Sequence, residues 1–417
     1  MRRKTSSLER YMLFFGRQFP LNFGVKCAIE GPFNGREGER ALRALVSRHA
    51  VLFSHQEYTQ GKQMDMVFPE NPPIILKEVF DTGPWADVLL SRMTFEFNPF
   101  TGPLFSLDWR RTPKGAELFF VFQHGAADGI AATWFIHDFL TVLGGGQVDA
   151  PASPNMPTLY EALKEEVTAE LLTRPEPDWK KEDPPPPKPF DMPPYTVPDF
   201  FLRFFTLSPA GTARLASEAK AAGQTVNSFL GARVLKASAD IFASEGNATR
   251  TFQCPVDFRQ YLKEKYRSVN GVYNGIVKVP VDCSQDLAVI AETIRAGVLA
   301  QREGMKDIEE YFHFRDSFDN VADPESLMMG FPPDPMDYDF SFSNLGRTVL
   351  APSYGPFVLQ DFYGPVFTAV NGETVIGLNT TNGSLRMSLI FDKKIDKAAG
   401  YLQLGNRIQE IFTSFED

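Results

Sequence analysis

Between Arg174 and Phe200 the sequence reads RPEPDWKKEDPPPPKPFDMPPYTVPDF, and no regular element can run through it. Proline lacks the amide hydrogen that helices and ladders use. It also pushes its predecessor toward extended conformations, so this stretch reads as a polyproline-like linker. A chain of 417 residues exceeds what one hydrophobic core usually organises. The expected division is a first lobe over residues 1–173, a linker over 174–199 and a second lobe over 200–417. Two lobes leave a cleft between them.

Each lobe alternates strand and helix patterns, which indicates a mixed α/β (α+β) architecture of sheets covered by helices. In the first lobe NFGVKCAIEG reads as a strand, and EGERALRALVSRHAVL carries Ala41, Leu42, Leu45 and Val46 at helical spacing. WADVLLSRMTFEF gives a second amphipathic helix. GPLFSLDWRRT and AELFFVFQ form a hairpin about PKG, and a helix from Ile130 to Leu143 follows, stopped by Gly144, Gly145 and Gly146. In the second lobe FFLRFFTLS, TFQCPVDFRQYL and GVYNGIVKVPV read as strands, and a helix enters through Thr225 or Asn227 as cap. Asn-Gly pairs at 371–372 and 382–383, each between alternating apolar runs, predict a three-stranded meander with type I′ turns. AAGYLQLGNRIQEIFTSF supplies a terminal helix.

Composition removes several function classes. A net charge of -10 and a pI near 5.2 argue against general affinity for nucleic acid or anionic membranes. No segment approaches the roughly 18 uninterrupted apolar residues of a membrane span. The N-terminal apolar run is too short for a secretory leader, so the expected location is cytoplasmic. Cys27, Cys254 and Cys283 stand far apart, which indicates neither a disulfide framework nor a thiolate metal site. Most of the 38 phenylalanines must belong to a large core, and such a supply also suits an apolar ligand pocket.

The chemistry-bearing stretch is LFFVFQHGAADGIAATWFIHDFL, residues 118 to 140. The apolar run Leu118–Phe122 fits a buried central strand, and His124 stands where it ends. Gly125, Ala126 and Ala127 are small enough to let another molecule approach the ring. A histidine near its reference pKa is the usual general base at neutral pH, and a backbone carbonyl binding one ring nitrogen would leave the other free to take a proton. Asp128, followed by Gly129, is placed to cap the next helix and to brace the loop on an arginine. On the residues alone two readings stand: a site histidine, or a satisfied partly buried one beside a capping aspartate. Metal ligation fits poorly, since the strand-to-loop break denies both side chains one helical face. No nucleophile elbow, zinc-protease motif or phosphate loop competes.

QHGAADG resembles the HHxxxDG motif of the chloramphenicol acetyltransferase-like superfamily, which includes peptide-synthetase condensation domains, polyketide-associated acyltransferases, alcohol and wax ester acyltransferases and the plant BAHD enzymes. ALRALVSRHAVLFSHQ, FNPFTGPLFSLDW, PVDFRQYL, GVYNGIVKV and DFSFSNLG are similar to further family segments, in family order over nearly the whole chain. The resemblance implies two related lobes forming a pseudo-dimer with a central tunnel. It implies an acyltransferase in which His124 deprotonates an alcohol or amine as it attacks an acyl-CoA or acyl-carrier thioester, with no resident cofactor or metal. Asp128 would pair with Arg259, Gly129 would turn the loop into the helix, and Ser343 or Asn344 would donate to the oxyanion. Gln123 stands where the motif has its first histidine, a departure that speaks against the peptide-condensing branch; amide-forming condensation and a catalytically silent binding relative stay as the alternative readings. Strand alternation points Gln123 away from His124. The expected partners are the acyl thioester, a small-molecule acceptor and, for a carrier-bound donor, an acyl carrier protein; the expected state is a monomer.

Overall fold

Strands of this chain take one of two places, because the apolar runs have to be covered on both faces. In the computed structural model, which describes all residues except 18–19, 60–62, 150–155, 178–198, 244–245, 247, 317–337, 339, 369–373 and 417, they form two six-stranded sheets and one small sheet. The small sheet joins β1 (Arg2–Lys4), β3 (His55–Tyr58) and β4 (Met64–Val67) in the order β1-β4-β3. The first large sheet holds β2 (Asn22–Glu30), β5 (Leu76–Glu78), β6 (Phe105–Thr112), β7 (Gly115–Gln123), β12 (Ser353–Tyr354) and β13 (Phe357–Phe367), in the order β12-β13-β2-β7-β6-β5. The second holds β8 (Phe200–Thr206), β9 (Thr249–Asp257), β10 (Asn274–Asp282), β11 (Phe340–Arg347), β14 (Val375–Thr381) and β15 (Ser384–Asp392), in the order β10-β9-β11-β14-β15-β8.

The strands expected over residues 22–31 and 105–123 form as read, and β6 meets β7 through a two-residue loop with Thr112 opposite Gly115. Helix α1 (Ser7–Phe15) opens on a capping box between Ser6 and Glu9. Helix α2 (Gly35–Leu45) buries Ala41, Leu42 and Leu45, as their spacing requires. Helices α3 (Trp85–Met93) and α4 (Gly129–Leu143) follow, the latter ending at Gly144. The helix Val226–Ile241 settles the choice of cap in favour of Thr225, whose hydroxyl accepts from the Ser228 amide at 3.0 Å.

The meander does not form. Asn382 and Gly383 both have positive φ, 50° and 82°, and close the β14–β15 hairpin as a type I′ turn should. The 371–372 pair lies outside the described residues. β13, however, leaves its sequence neighbour β14 and pairs antiparallel with β2 of the first sheet, from Val358 opposite Glu30 to Phe367 opposite Phe23. The physical reason is that β2 is almost entirely buried and needs a ladder partner on each side. The expected boundary of the second lobe, 200–417, is therefore corrected: residues 353–367 complete the first sheet. Of the linker, residues 178–198 lie outside the described set, while Arg174 at its start is fixed by ion pairs to Glu170 and Glu309.

All three cysteines are buried and free, and burial pushes the Cys254 thiol up to about 12. Among the described residues no helix is long and apolar enough to cross a membrane.

Candidate active site

Leu118 to Phe122 are all buried, and Phe122 stacks on Phe23 of β2 with ring centroids 5.0 Å apart. This packing brings the end of β7 to the junction of the sheets. There the His124 amide donates to the Leu21 carbonyl at 2.9 Å, a last rung of the β2–β7 pairing that fixes the backbone of the histidine. The imidazole rests edge-on against Phe23, at 5.4 Å, and beside Phe367 of β13, at 5.3 Å. It is half-buried: its Nδ1 end is closed off, and its open surface faces a cavity of about 330 Å³. Residues of both halves line that cavity, among them Tyr11, Leu21 and Asp128 on one side and Gln253, Ser341 and Ser343 on the other.

Burial holds the His124 pKa below its ordinary value, although its own carbonyl, the Asp128 charge and the Ala127 carbonyl all pull the other way. The ring is thus a neutral base at pH 7. The backbone carbonyls of His124 and Ala127 lie close enough to the ring to favour its protonated form, as expected of a carbonyl beside one ring nitrogen, although the enclosed Nδ1 makes no hydrogen bond of full geometry. The depressed pKa has a linked consequence for stability. The unfolded chain binds the proton more readily, so this contribution is present above about pH 6.5 and is lost as pH falls through the lower folded value. Relative to His124→Gln, which cannot titrate there, the wild type is expected to lose unfolding free energy between pH 8 and pH 5; denaturant titrations at the two pH values check this.

Asp128 is 3% exposed and fully engaged. Its Oδ1 accepts from the Ala131 amide at 2.8 Å, capping α4, and from Arg259 Nη2 at 2.9 Å. Its Oδ2 accepts from Arg259 Nη1 at 3.0 Å and from the Tyr273 amide at 2.8 Å. Arg259, also buried, reaches Asp257 at 2.9 Å and the Arg267 carbonyl at 3.0 Å. The two-pronged pair joins the histidine loop of the first half to the 3₁₀ turn after β9 in the second. With its lone pairs spent in this way, Asp128 holds the loop.

Two expectations about the loop change. Ala126 and Ala127 are fully buried and do not line the cavity, so their size serves a tight inward turn rather than access from outside. Gly129 does not need unusual backbone angles: it sits in the first turn of α4, and a Cβ there would come within 2.8 Å of Leu345 and 3.0 Å of Pro365. Its bareness lets the two halves approach. Gln123 is buried outside the cavity; its Nε2 donates to the Met12 carbonyl at 3.2 Å and its Oε1 accepts from the Gly125 amide at 2.5 Å. It ties α1 to the histidine loop.

On β11, Phe340 and Phe342 turn to the core, while Ser341, Ser343 and Asn344 line the cavity. Asn344 Oδ1 accepts from the Gly346 amide at 2.8 Å, which is the turn chemistry expected beside a glycine with φ of 67°. Ser343 and Asn344 therefore share the cavity with His124. Sequence reading missed Tyr11, Phe23, Phe367, Gln253 and Ser341. Phe23, Gln253 and Ser341 were accessible through strand alternation; Phe367 was hidden by the sheet crossover. Among the described residues no group of three His, Cys, Asp or Glu side chains could hold a metal ion.

Comparison with solved structures now bears on this geometry. The chain aligns over 100% of its length with 95% of trichothecene 15-O-acetyltransferase from Fusarium sporotrichioides, at TM-score 0.74 and 12% identity. Polyketide synthase associated protein 5 from Mycobacterium tuberculosis aligns with 100% of the chain and 98% of its own length, at TM-score 0.68 and 15% identity. This chain has the fold of these two proteins. The first condensation domain of the CDA synthetase shares it too, at TM-score 0.68 and 16% identity over 100% of this chain and 96% of that one. In sequence, residues 202–353 match the family described as phthiocerol/phthiodiolone dimycocerosyl transferase C-terminus. No curated protein sequence matches. One fold thus serves an acetyltransferase and a condensation domain, and the resemblance carried by QHGAADG agrees with that fold.

Proposed function

We propose that this protein transfers an acyl group from an acyl-CoA or acyl-carrier thioester to an alcohol or amine, with His124 as general base. The observation that carries the reading is a neutral imidazole opening onto a cavity walled by both halves of the chain. In the proposed step the free ring nitrogen takes the acceptor's proton as its oxygen or nitrogen attacks the thioester carbonyl. Collapse of the tetrahedral intermediate expels the thiolate, which receives that proton from the imidazolium. Atoms balance without a covalent enzyme intermediate. Asp128 and Arg259 position the loop and take no proton.

Ser343 and the Asn344 amide are the donors for the developing oxyanion. Because Asn344 Oδ1 is occupied by the Gly346 amide, the side chain is oriented with its NH₂ group left to donate. Loss of one such donor typically lowers kcat by about 10²–10³. Asn344→Ala is expected to show a loss approaching that range with a smaller change in KM, read from steady-state kinetics; unchanged kcat would remove Asn344 from the oxyanion role.

The activity is tested by following free thiol release from a panel of acyl-CoA thioesters, with and without alcohols and amines. Acceptor-stimulated release supports the reading. Absence of release across donors and acceptors, carrier-bound donors included, would refute it. Preference for an amine and a carrier-bound donor would move the chain to the amide-forming reading, in which the same base serves.

A further inference from the structure

The cavity beside His124 has two unlike walls. From the first half come Tyr11, Met12, Phe15 and Leu21, a largely apolar face. The opposite face carries a polar strip, set among apolar residues such as Val256 and Ile276, and that strip comes from neighbouring strands of the second sheet. On β9, Phe252 and Cys254 turn to the core, so alternation sends Gln253 into the cavity. β11 does the same with Ser341 between Phe340 and Phe342. Gln253 and Ser341 are register partners across the parallel β9–β11 ladder, which stands the carboxamide and the hydroxyl side by side.

These groups are enclosed and unspent. Gln253 is 2% exposed and Ser341 6%, and among the described residues no hydrogen bond reaches either side chain. Asn274, on β10 and in the same wall, has a buried Oδ1 without a partner. A carboxamide removed from bulk water without partners is destabilising, and proteins keep such a group chiefly where water or a ligand completes it. Three of them on one wall, opposite an apolar face and beside the imidazole, form a recognition surface rather than leftover polarity.

We propose that Gln253 and Ser341, supported by Asn274, form an acceptor subsite that binds a second oxygen function on the acceptor, a hydroxyl or carbonyl a few atoms from the group presented to His124. The substrate class is then a polyoxygenated alcohol, and the apolar wall of Tyr11, Met12 and Phe15 receives the acyl portion. The inference rests on the acyl-transfer reading for its meaning, yet its test needs no turnover.

Hexane-1,2-diol and hexan-1-ol share a carbon skeleton and differ by one hydroxyl. Their dissociation constants are measured by ligand-observed NMR with the full chain and with Gln253→Leu and Ser341→Ala. The wild type is expected to bind the diol about tenfold or more tightly than hexanol, since a site built for hydrogen bonding discriminates against a ligand that leaves it unpaired. Both variants should bring the ratio toward one. Gln253→Leu should hold or raise the melting temperature, because it removes an unpaired polar group; a glutamine with a purely structural role would lower it. Equal wild-type affinities, failure of the diol to bind, or an unchanged ratio in both variants would overturn the subsite. Discrimination that persists while no thioester is turned over would overturn acyl transfer and leave the subsite standing.

Discussion

Asp128→Ala is expected to unfold about 3–5 kcal/mol more easily than the wild type, because it takes the two-pronged buried partner from the Arg259 guanidinium, leaving it only the more exposed Asp257, and uncaps α4 in a single change. Both side chains are almost wholly enclosed, 7% exposed for Arg259 and 4% for Asp128, so solvent screening does little to soften the loss. The melting temperature should fall by roughly 3–6 °C, because a chain of 417 residues unfolds with an entropy of about 0.9 kcal/mol/K. Asp128→Asn keeps a cap oxygen and one acceptor and should lose less. Removing both charges with Asp128→Leu and Arg259→Leu should recover part of the loss, since part of the penalty of Asp128→Ala comes from a buried charge left with too little compensation. Acyl transfer should fall along with stability, because the pair anchors the loop that aims His124. A melting temperature within 1–2 °C of wild type would mean that the pair does not hold the two halves together.

His124→Ala is expected to lower kcat/KM for transfer by about 10²–10⁴, the range attributable to a positioned general base. The variant should fold normally, because the ring is held by Phe23 and Phe367 rather than by a hydrogen-bond network that would be left unpaired. Circular dichroism and melting temperature near wild type, together with the lost rate, would separate chemistry from folding. His124→Gln keeps hydrogen bonding but not basicity, and should be nearly as inactive.

Where local pattern and tertiary demand coincide, the chain could be read directly. β7 is an unbroken apolar run because both faces of the strand are covered, and that run located His124 at its end. Thr225, Asp128 and Asn382-Gly383 each do what their local chemistry favours. The Arg259–Asp128 pair was legible through the resemblance of PVDFR and HGAADG to family segments. It was not legible from spacing, since 131 residues separate the partners. The failures share a cause. β13 was assigned to a meander because its neighbour β14 is adjacent in sequence, yet its ladder partner β2 lies more than 300 residues away and was chosen by burial. Gly129 and Ala126 looked like access or turn residues, and the close approach of Leu345 and Pro365 that explains the glycine comes from strands no local window contains. The polar wall of Gln253 and Ser341 was concealed for the same reason: each looks ordinary alone, and only the β9–β11 ladder sets them together.

The pH dependence of kcat/KM for acyl transfer tests the base most directly. With the His124 pKa held below its ordinary 6.5 by burial, the unprotonated enzyme predominates at neutral pH. The rate should therefore be level through neutral pH and fall on acidification with a single inflection below 6.5, and any residual rate of His124→Ala should lack that inflection. A wild-type profile without an acidic limb, or the same limb at undiminished rate in His124→Ala, would contradict the assignment of His124 as the base.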